Sequence, residues 1–121
     1  MADVKVYSYA KCSTCRKALK FLESKGVEHK VIDITEQPPT KAELKKMLGY
    51  YDGELKRLFN TSGVQYRELD IKSKLPNMTK DEAIRLLSEN GKLVKRPFVL
   101  SKQAGLVGFK DDEWNEFVAP R

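Results

Sequence analysis

The strongest constraint on this chain lies between Val4 and Ile34, where two strand-like segments flank one short amphipathic helix. Val4-Lys5-Val6-Tyr7-Ser8-Tyr9 alternates apolar and polar side chains and is rich in β-branched and aromatic residues, the pattern of a half-buried strand. The turn Ala10-Lys11-Cys12-Ser13-Thr14-Cys15 follows, with the hydroxyl residues Ser13 and Thr14 expected to cap a helix. From there Cys15, Ala18, Leu19 and Leu22 recur at helical spacing, with Arg16, Lys17, Lys20 and Glu23 on the other side. Gly26 is expected to stop that helix. A second strand is expected from His29 to Ile34, centred on Val31-Ile32-Asp33-Ile34. Two strands joined by one helix form a β-α-β unit, normally a right-handed crossover between parallel strands.

The middle of the chain reads as helical. After Pro38-Pro39, the pair Thr40 and Glu43 has the spacing of a capping box, and Gly49 is expected to close the helix it opens. A short helix is predicted from Glu54 to Phe59. Another runs from Thr79 to Glu89, where Thr79 and Glu82 repeat the box spacing and Ala83, Ile84, Leu86 and Leu87 form the buried stripe. The tail returns to sheet: Pro97-Phe98-Val99-Leu100 and Gly105-Leu106-Val107-Gly108 flank Ser101-Lys102-Gln103-Ala104 as a β-hairpin. A last helix, Asp111 to Val118, carries Trp114 and Phe117 inward at i, i+3. The order β-α-β, helices, β-β-α predicts an α/β, thioredoxin-like fold. A length of 121 residues suits one domain, expected to span residues 1–121 with a helical insertion at about 39–90.

With 40% apolar and 33% charged residues, the composition is that of a soluble globular protein. No stretch is apolar and long enough to cross a bilayer, and Met1-Ala2-Asp3-Val4-Lys5 brings an acidic residue and no apolar core of a signal sequence. A cytoplasmic protein without membrane attachment is expected. A net charge of +6 is compatible with nucleic acid, an anionic substrate or an acidic protein surface, but lysines on solvated helix faces explain it more simply. No basic run, zinc finger or basic zipper pattern points to direct nucleic-acid binding.

The two cysteines, Cys12 and Cys15, form a Cys-x-x-Cys pair at the joint between the first strand and the first helix. Unpaired N–H groups and the macrodipole at a helix start favour negative charge, so a thiol there should lose its proton more readily than a free cysteine, and only the thiolate attacks. Lys11, Arg16 and Lys17 add positive potential nearby. Cys12, further out on the turn, is expected to be the nucleophile, and Cys15, starting the apolar stripe, the resolving thiol. A structural zinc site takes four ligands, and besides the pair only His29 is available, so no metal is expected. In Lys95-Arg96-Pro97 the proline forces Arg96 to be extended. Arg96 is either a solvated side chain beside a strand-initiating proline or a clamp over the cysteine turn that holds an oxyanion or thiolate.

Tyr9-Ala10-Lys11-Cys12-Ser13-Thr14-Cys15-Arg16-Lys17-Ala18, then Asn60-Thr61-Ser62-Gly63, Lys95-Arg96-Pro97 and Val107-Gly108-Phe109 together resemble the ArsC/Spx family, in order and over nearly the whole chain. The resemblance implies a thioredoxin-like fold with a helical insertion, a cis peptide before Pro97, Cys12 as the reactive cysteine and Arg96 beside it. It suggests Lys11, Arg16, Asn60 and Pro97 as substrate-contacting positions. Glutaredoxin-coupled arsenate reductases of this family place three arginines around the oxyanion. Here only Arg96 matches, with Asn60 at the first position and Gly108 or its neighbourhood at the third. Each missing charge-assisted contact is worth on the order of 1.5–3 kcal/mol, which counts against tight binding of a multiply charged oxyanion. Those enzymes also lack the second motif cysteine. The pair is similar to the Spx branch, which binds the RNA polymerase α C-terminal domain and uses its cysteines as a redox switch; Asp52-Gly53 falls roughly where that branch keeps its polymerase-contacting glycine. The resemblance thus implies an arsenate reductase-like thiol oxidoreductase acting on a small-molecule or protein disulfide. No cofactor would be bound, and glutathione, thioredoxin or glutaredoxin would serve as reductant. The alternative is an Spx-like redox-sensing regulator.

Overall fold

The computed structural model describes residues 4–101 and 104–118. The expected absence of a leader at residues 1–3 and part of the hairpin loop, residues 102–103, fall outside this range. The chain divides into two units, residues 1–33 with 96–121 and residues 34–95.

The first unit holds β1 (Val4–Ser8), α1 (Ser13–Ser24), β2 (His29–Asp33), β3 (Phe98–Leu100), β4 (Gly105–Val107) and α6 (Asp111–Val118). Its sheet has the order β2-β1-β3-β4. β1 and β2 are parallel with Val6 opposite Val31, as a strand–helix–strand connection requires. β1 pairs antiparallel with β3 (Val6 opposite Val99), and β3 with β4 (Val99 opposite Leu106). Val6, Val99 and Leu106 therefore form one row across three strands, and α1 and α6 cover it with Ala18, Leu22 and the fully buried Trp114. Burying an aliphatic side chain of this kind is worth about 1.5–3 kcal/mol. Phe21, Phe109 and Phe117 ring Trp114 in edge-on or tilted contacts at 5.1–6.3 Å, and its Nε1–H donates to the Gly108 carbonyl at 2.9 Å. This is the thioredoxin-like strand order, with Trp114 and Phe117 inward as expected.

α1 ends as the sequence predicts. Gly26 takes a left-handed φ of +67°, its N–H donates to Glu23 and the Val27 N–H donates to Leu22, a Schellman closure that a residue with a side chain would strain.

The second unit contains α2 (Lys41–Tyr50), α3 (Val64–Glu68), α4 (Ile71–Lys74) and α5 (Lys80–Glu89), with 3₁₀ turns at Leu55–Leu58, Leu75–Asn77 and Gly91–Leu93. Both capping boxes are present: the Thr40 and Thr79 hydroxyls each accept the backbone N–H three residues on at 3.1 Å, and Glu43 and Glu82 reach back at 3.0 Å. Leu44, Met47, Ile84 and Leu87 are fully or almost fully buried, whereas Leu86 is only half-buried beside the stripe. Gly49 does not close α2. The helix runs through it to Tyr50, and the left-handed closing residue is Asp52 (φ +57°), with the Gly53 N–H donating to the Leu48 carbonyl. An interior glycine costs a helix only about 1 kcal/mol, too little to end one whose apolar face is anchored. The segment expected as a helix from Glu54 to Phe59 is the 3₁₀ turn Leu55–Leu58. α3 and α4, at five and four residues, are too short for sequence periodicity to reveal and are anchored by single buried side chains, Tyr66 and Ile71.

Candidate active site

β1 ends at the buried Ser8, and the chain turns at once. The Cys12 N–H donates to the Tyr9 carbonyl at 3.0 Å, closing the turn that delivers Cys12 to the start of α1. Cys12 is itself the N-cap. Its backbone is extended (φ −93°, ψ 114°), and its Sγ accepts the Cys15 N–H at 3.3 Å. The expected hydroxyl caps Ser13 and Thr14 are thus replaced by the cysteine sulfur, because Ser13 and Thr14 already lie on helical backbone and only residue 12 stands where a cap can reach the third N–H. A sulfur so placed receives an N–H and the positive end of the helix, contacts that an anion makes more strongly than a neutral thiol.

The two sulfurs occupy different surroundings. Cys12 is partly exposed, and Cys15 is fully buried on the sheet-facing stripe; both are free thiols. Burial pushes the Cys15 thiol up to about 11. Its hydrogen bond to the Cys12 sulfur acts in the same direction, while the Tyr9 backbone and the Ser8 hydroxyl, both directed at its sulfur, pull the other way. That hydrogen bond puts the two side chains within reach of each other.

The basic residues serve different ends. Arg16 is exposed and donates from Nη1 to the Ala10 carbonyl at 3.2 Å, tying α1 back to the turn. Lys11 is exposed on the turn. Arg96 is half-buried, its guanidinium carbon 4.9 Å from the centroid of the Tyr9 ring. The Arg96–Pro97 bond is cis, as the resemblance implies, and the Pro97 carbonyl accepts the Gly108 N–H at 3.0 Å. Cys12, Cys15, Lys11, Arg16, Arg96 and Pro97 all belong to the first unit. Asn60 belongs to the second, where its N–H donates to Leu93 at 2.7 Å and its carbonyl accepts the Gly63 N–H at 3.0 Å. Ser8 and Tyr9 are the site residues that sequence reasoning missed. Tyr9 directly precedes the cysteine turn in the sequence, but its contact with Arg96 joins distant parts of the chain and has no local signal. Among the described residues, no three of His, Cys, Asp and Glu converge as a metal site would require.

Known proteins resemble this chain over nearly its full length. The chain is 49% identical over 110 residues to the uncharacterized protein YusI of Bacillus subtilis, covering 91% of this chain and 93% of that protein. The crystal structure of a putative ArsC family related protein from Bacteroides fragilis superposes with a TM-score of 0.90 at 45% identity, covering 97% and 98% of the two chains. More distant relatives are the global transcriptional regulator Spx of Streptococcus mutans (29% over 107 residues, 88% of this chain and 77% of the regulator) and the arsenate reductase of Neisseria meningitidis (28% over 109 residues, 89% and 92%). The model of the ArsC family matches residues 7–117, and the chain belongs to that family.

Proposed function

We propose that this protein is a thiol–disulfide oxidoreductase in which Cys12 attacks and Cys15 resolves. The observation that carries this reading is the Cys12 sulfur at the N-cap of α1, accepting the Cys15 N–H with the buried Cys15 thiol behind it. In the first step the Cys12 thiolate attacks one sulfur of a disulfide R–S–S–R′, forming a mixed disulfide with R–S and expelling R′–S⁻, which takes up a proton. In the second, Cys15 gives up its proton, its sulfur attacks the Cys12 sulfur, and R–S⁻ leaves. The substrate has gained two electrons and the protein holds a Cys12–Cys15 disulfide, which two glutathione molecules or the dithiol of thioredoxin or glutaredoxin reduce again. Arg96 steadies the anionic sulfur or an anionic group of the substrate, with Lys11 and Arg16 contributing positive potential, and no bound cofactor takes part. Replacing Cys12 by Ser and assaying turnover of a glutathione mixed disulfide tests this; unchanged turnover would end the assignment.

A second reading is a redox-sensing regulator that binds the RNA polymerase α C-terminal domain. The Cys-x-x-Cys pair and the similarity to the S. mutans Spx regulator favour it. A pull-down with that domain under reducing and oxidising conditions decides: absence of binding in both states removes this reading.

A further inference from the structure

Arg96 has no carboxylate partner among the described residues; its guanidinium lies over the face of Tyr9. A guanidinium resting on a ring gives up little, since its five N–H donors lie in its own plane and stay available to an anion. The stacking does remove rotamer freedom that a long side chain would otherwise keep. Tyr9 and Arg96 both lie just beyond the end of the antiparallel β1–β3 ladder, whose last pair is Tyr7 opposite Phe98.

Tyr9 also touches both cysteines. Its carbonyl accepts the Cys12 N–H at 3.0 Å, and its backbone faces the Cys15 sulfur. One residue therefore joins the turn that presents Cys12 to a cation that has no counter-charge among the described residues. Its backbone fixes the first and its ring fixes the second.

We propose that Tyr9 is the positioning residue for Arg96: its ring holds the guanidinium beside the Cys12 turn, so that reactants carrying an anionic group are preferred there over neutral ones. This rests on the role given to Arg96 above, and it specifies the substrate class as disulfides whose thiol halves bear a carboxylate.

Alkylation of the reduced full chain tests the idea without requiring turnover. The Cys12 thiolate displaces iodide from iodoacetate or from iodoacetamide, forming a C–S bond in each case, and the two reagents differ in charge. The ratio of the two rates, compared with the same ratio for N-acetylcysteine, reports how the site handles an anion. The ratio for the protein is expected to exceed that of N-acetylcysteine, and Arg96→Gln is expected to abolish the excess. Tyr9→Leu should lower the ratio about two- to fivefold, the range expected of an exposed to partly desolvated cation–π contact. Tyr9→Phe, which retains the ring, should restore it. In an Arg96→Gln background Tyr9→Leu should change the ratio no further, whereas a purely structural role would lower it again. If Tyr9→Leu does not fold, Tyr9→Gln replaces it with the same expectation. A wild-type ratio no higher than that of N-acetylcysteine, an unchanged ratio in the ringless variant, or an additive loss in the double variant overturns the proposal. Loss of mixed-disulfide turnover with this charge preference intact would instead count against the oxidoreductase reading alone.

Discussion

The buried Cys15 thiol makes a prediction about stability against pH. Its folded-state value lies at about 11, against an ordinary value of 9.0, and the first cause is burial. The folded state therefore favours the protonated thiol, whereas the unfolded chain lets it ionise near 9. Stability from this group is fully present below pH 9 and is lost as pH rises through 9 towards 11. Two pH units at about 1.4 kcal/mol each correspond to about 3 kcal/mol. Part of the shift comes from the neighbouring Cys12 and solvent screening weakens it, which brings the figure nearer to about 1–2 kcal/mol. Denaturant unfolding of the reduced protein at pH 7, 9, 10 and 11 should be compared with Cys15→Ala, which carries the same background of lysines and tyrosines but no thiol at that position. The variant also loses the contacts of the buried sulfur, which lowers its stability at pH 7. Wild type should be the more stable at pH 7, and its advantage should shrink by about 1–2 kcal/mol by pH 11, where the folded-state thiol is about half ionised. Two stability curves that stay parallel from pH 7 to 11 would refute the burial argument.

Four further outcomes follow from the same structure. Iodoacetamide at pH 7.5 should label the native reduced protein once, at Cys12, and add a second label only after denaturation, as counted by mass spectrometry; two native adducts formed at similar rates would contradict the asymmetry of the pair. Thr79→Ala should cost about 1 kcal/mol of unfolding free energy. The Glu82 carboxyl is held below its ordinary 4.5 by the Thr79 backbone and hydroxyl, so its contribution is present above that pH and fades as pH falls below it; the stability gap between wild type and Glu82→Ala should close on acidification. Two glycine substitutions should move denaturant midpoints in opposite directions. Gly91→Ala drives a Cβ into the Ile34 carbonyl and should cost roughly 1–3 kcal/mol or more, whereas Gly49→Ala meets open space inside α2 and should gain about 0.5–1 kcal/mol.

What the sequence disclosed and what it withheld divide along the range of the interactions. The two capping boxes and the Gly26 closure depend on residues at most five apart, and each is present as read. The strand–helix–strand start and the hairpin were legible for the same reason, since period and turn chemistry are local signals. Gly49 misled because a glycine permits a helix end without imposing one, and the left-handed residue that does end α2 is an aspartate, for which the conformation is uncommon. Cys12 as its own helix cap went unread because sulfur stands outside the usual set of capping acceptors. The sequence allows Arg96 either a solvated place or one at the site. Its contact with Tyr9 joins positions far apart in the chain, beside the β1–β3 pairing, and leaves no local trace.

The division of labour between the two cysteines follows from where the pair sits. At a strand-to-helix joint the N-cap residue stands outside the helix, half in solvent, while the residue three positions on is committed to helical backbone with its N–H aimed at the cap. On α1 that third position also begins the stripe facing the sheet, so Cys15 is buried by the same geometry that points its N–H at Cys12. The spacing therefore makes an accessible sulfur resting on positive helix charge and a protected, protonated partner within hydrogen-bonding reach. A spacer one residue longer would move the second sulfur about 100° around the helix, off the stripe and away from the cap. Both the reach between the sulfurs and the difference in their reactivity thus have one origin, the use of Cys12 rather than Ser13 or Thr14 to open α1.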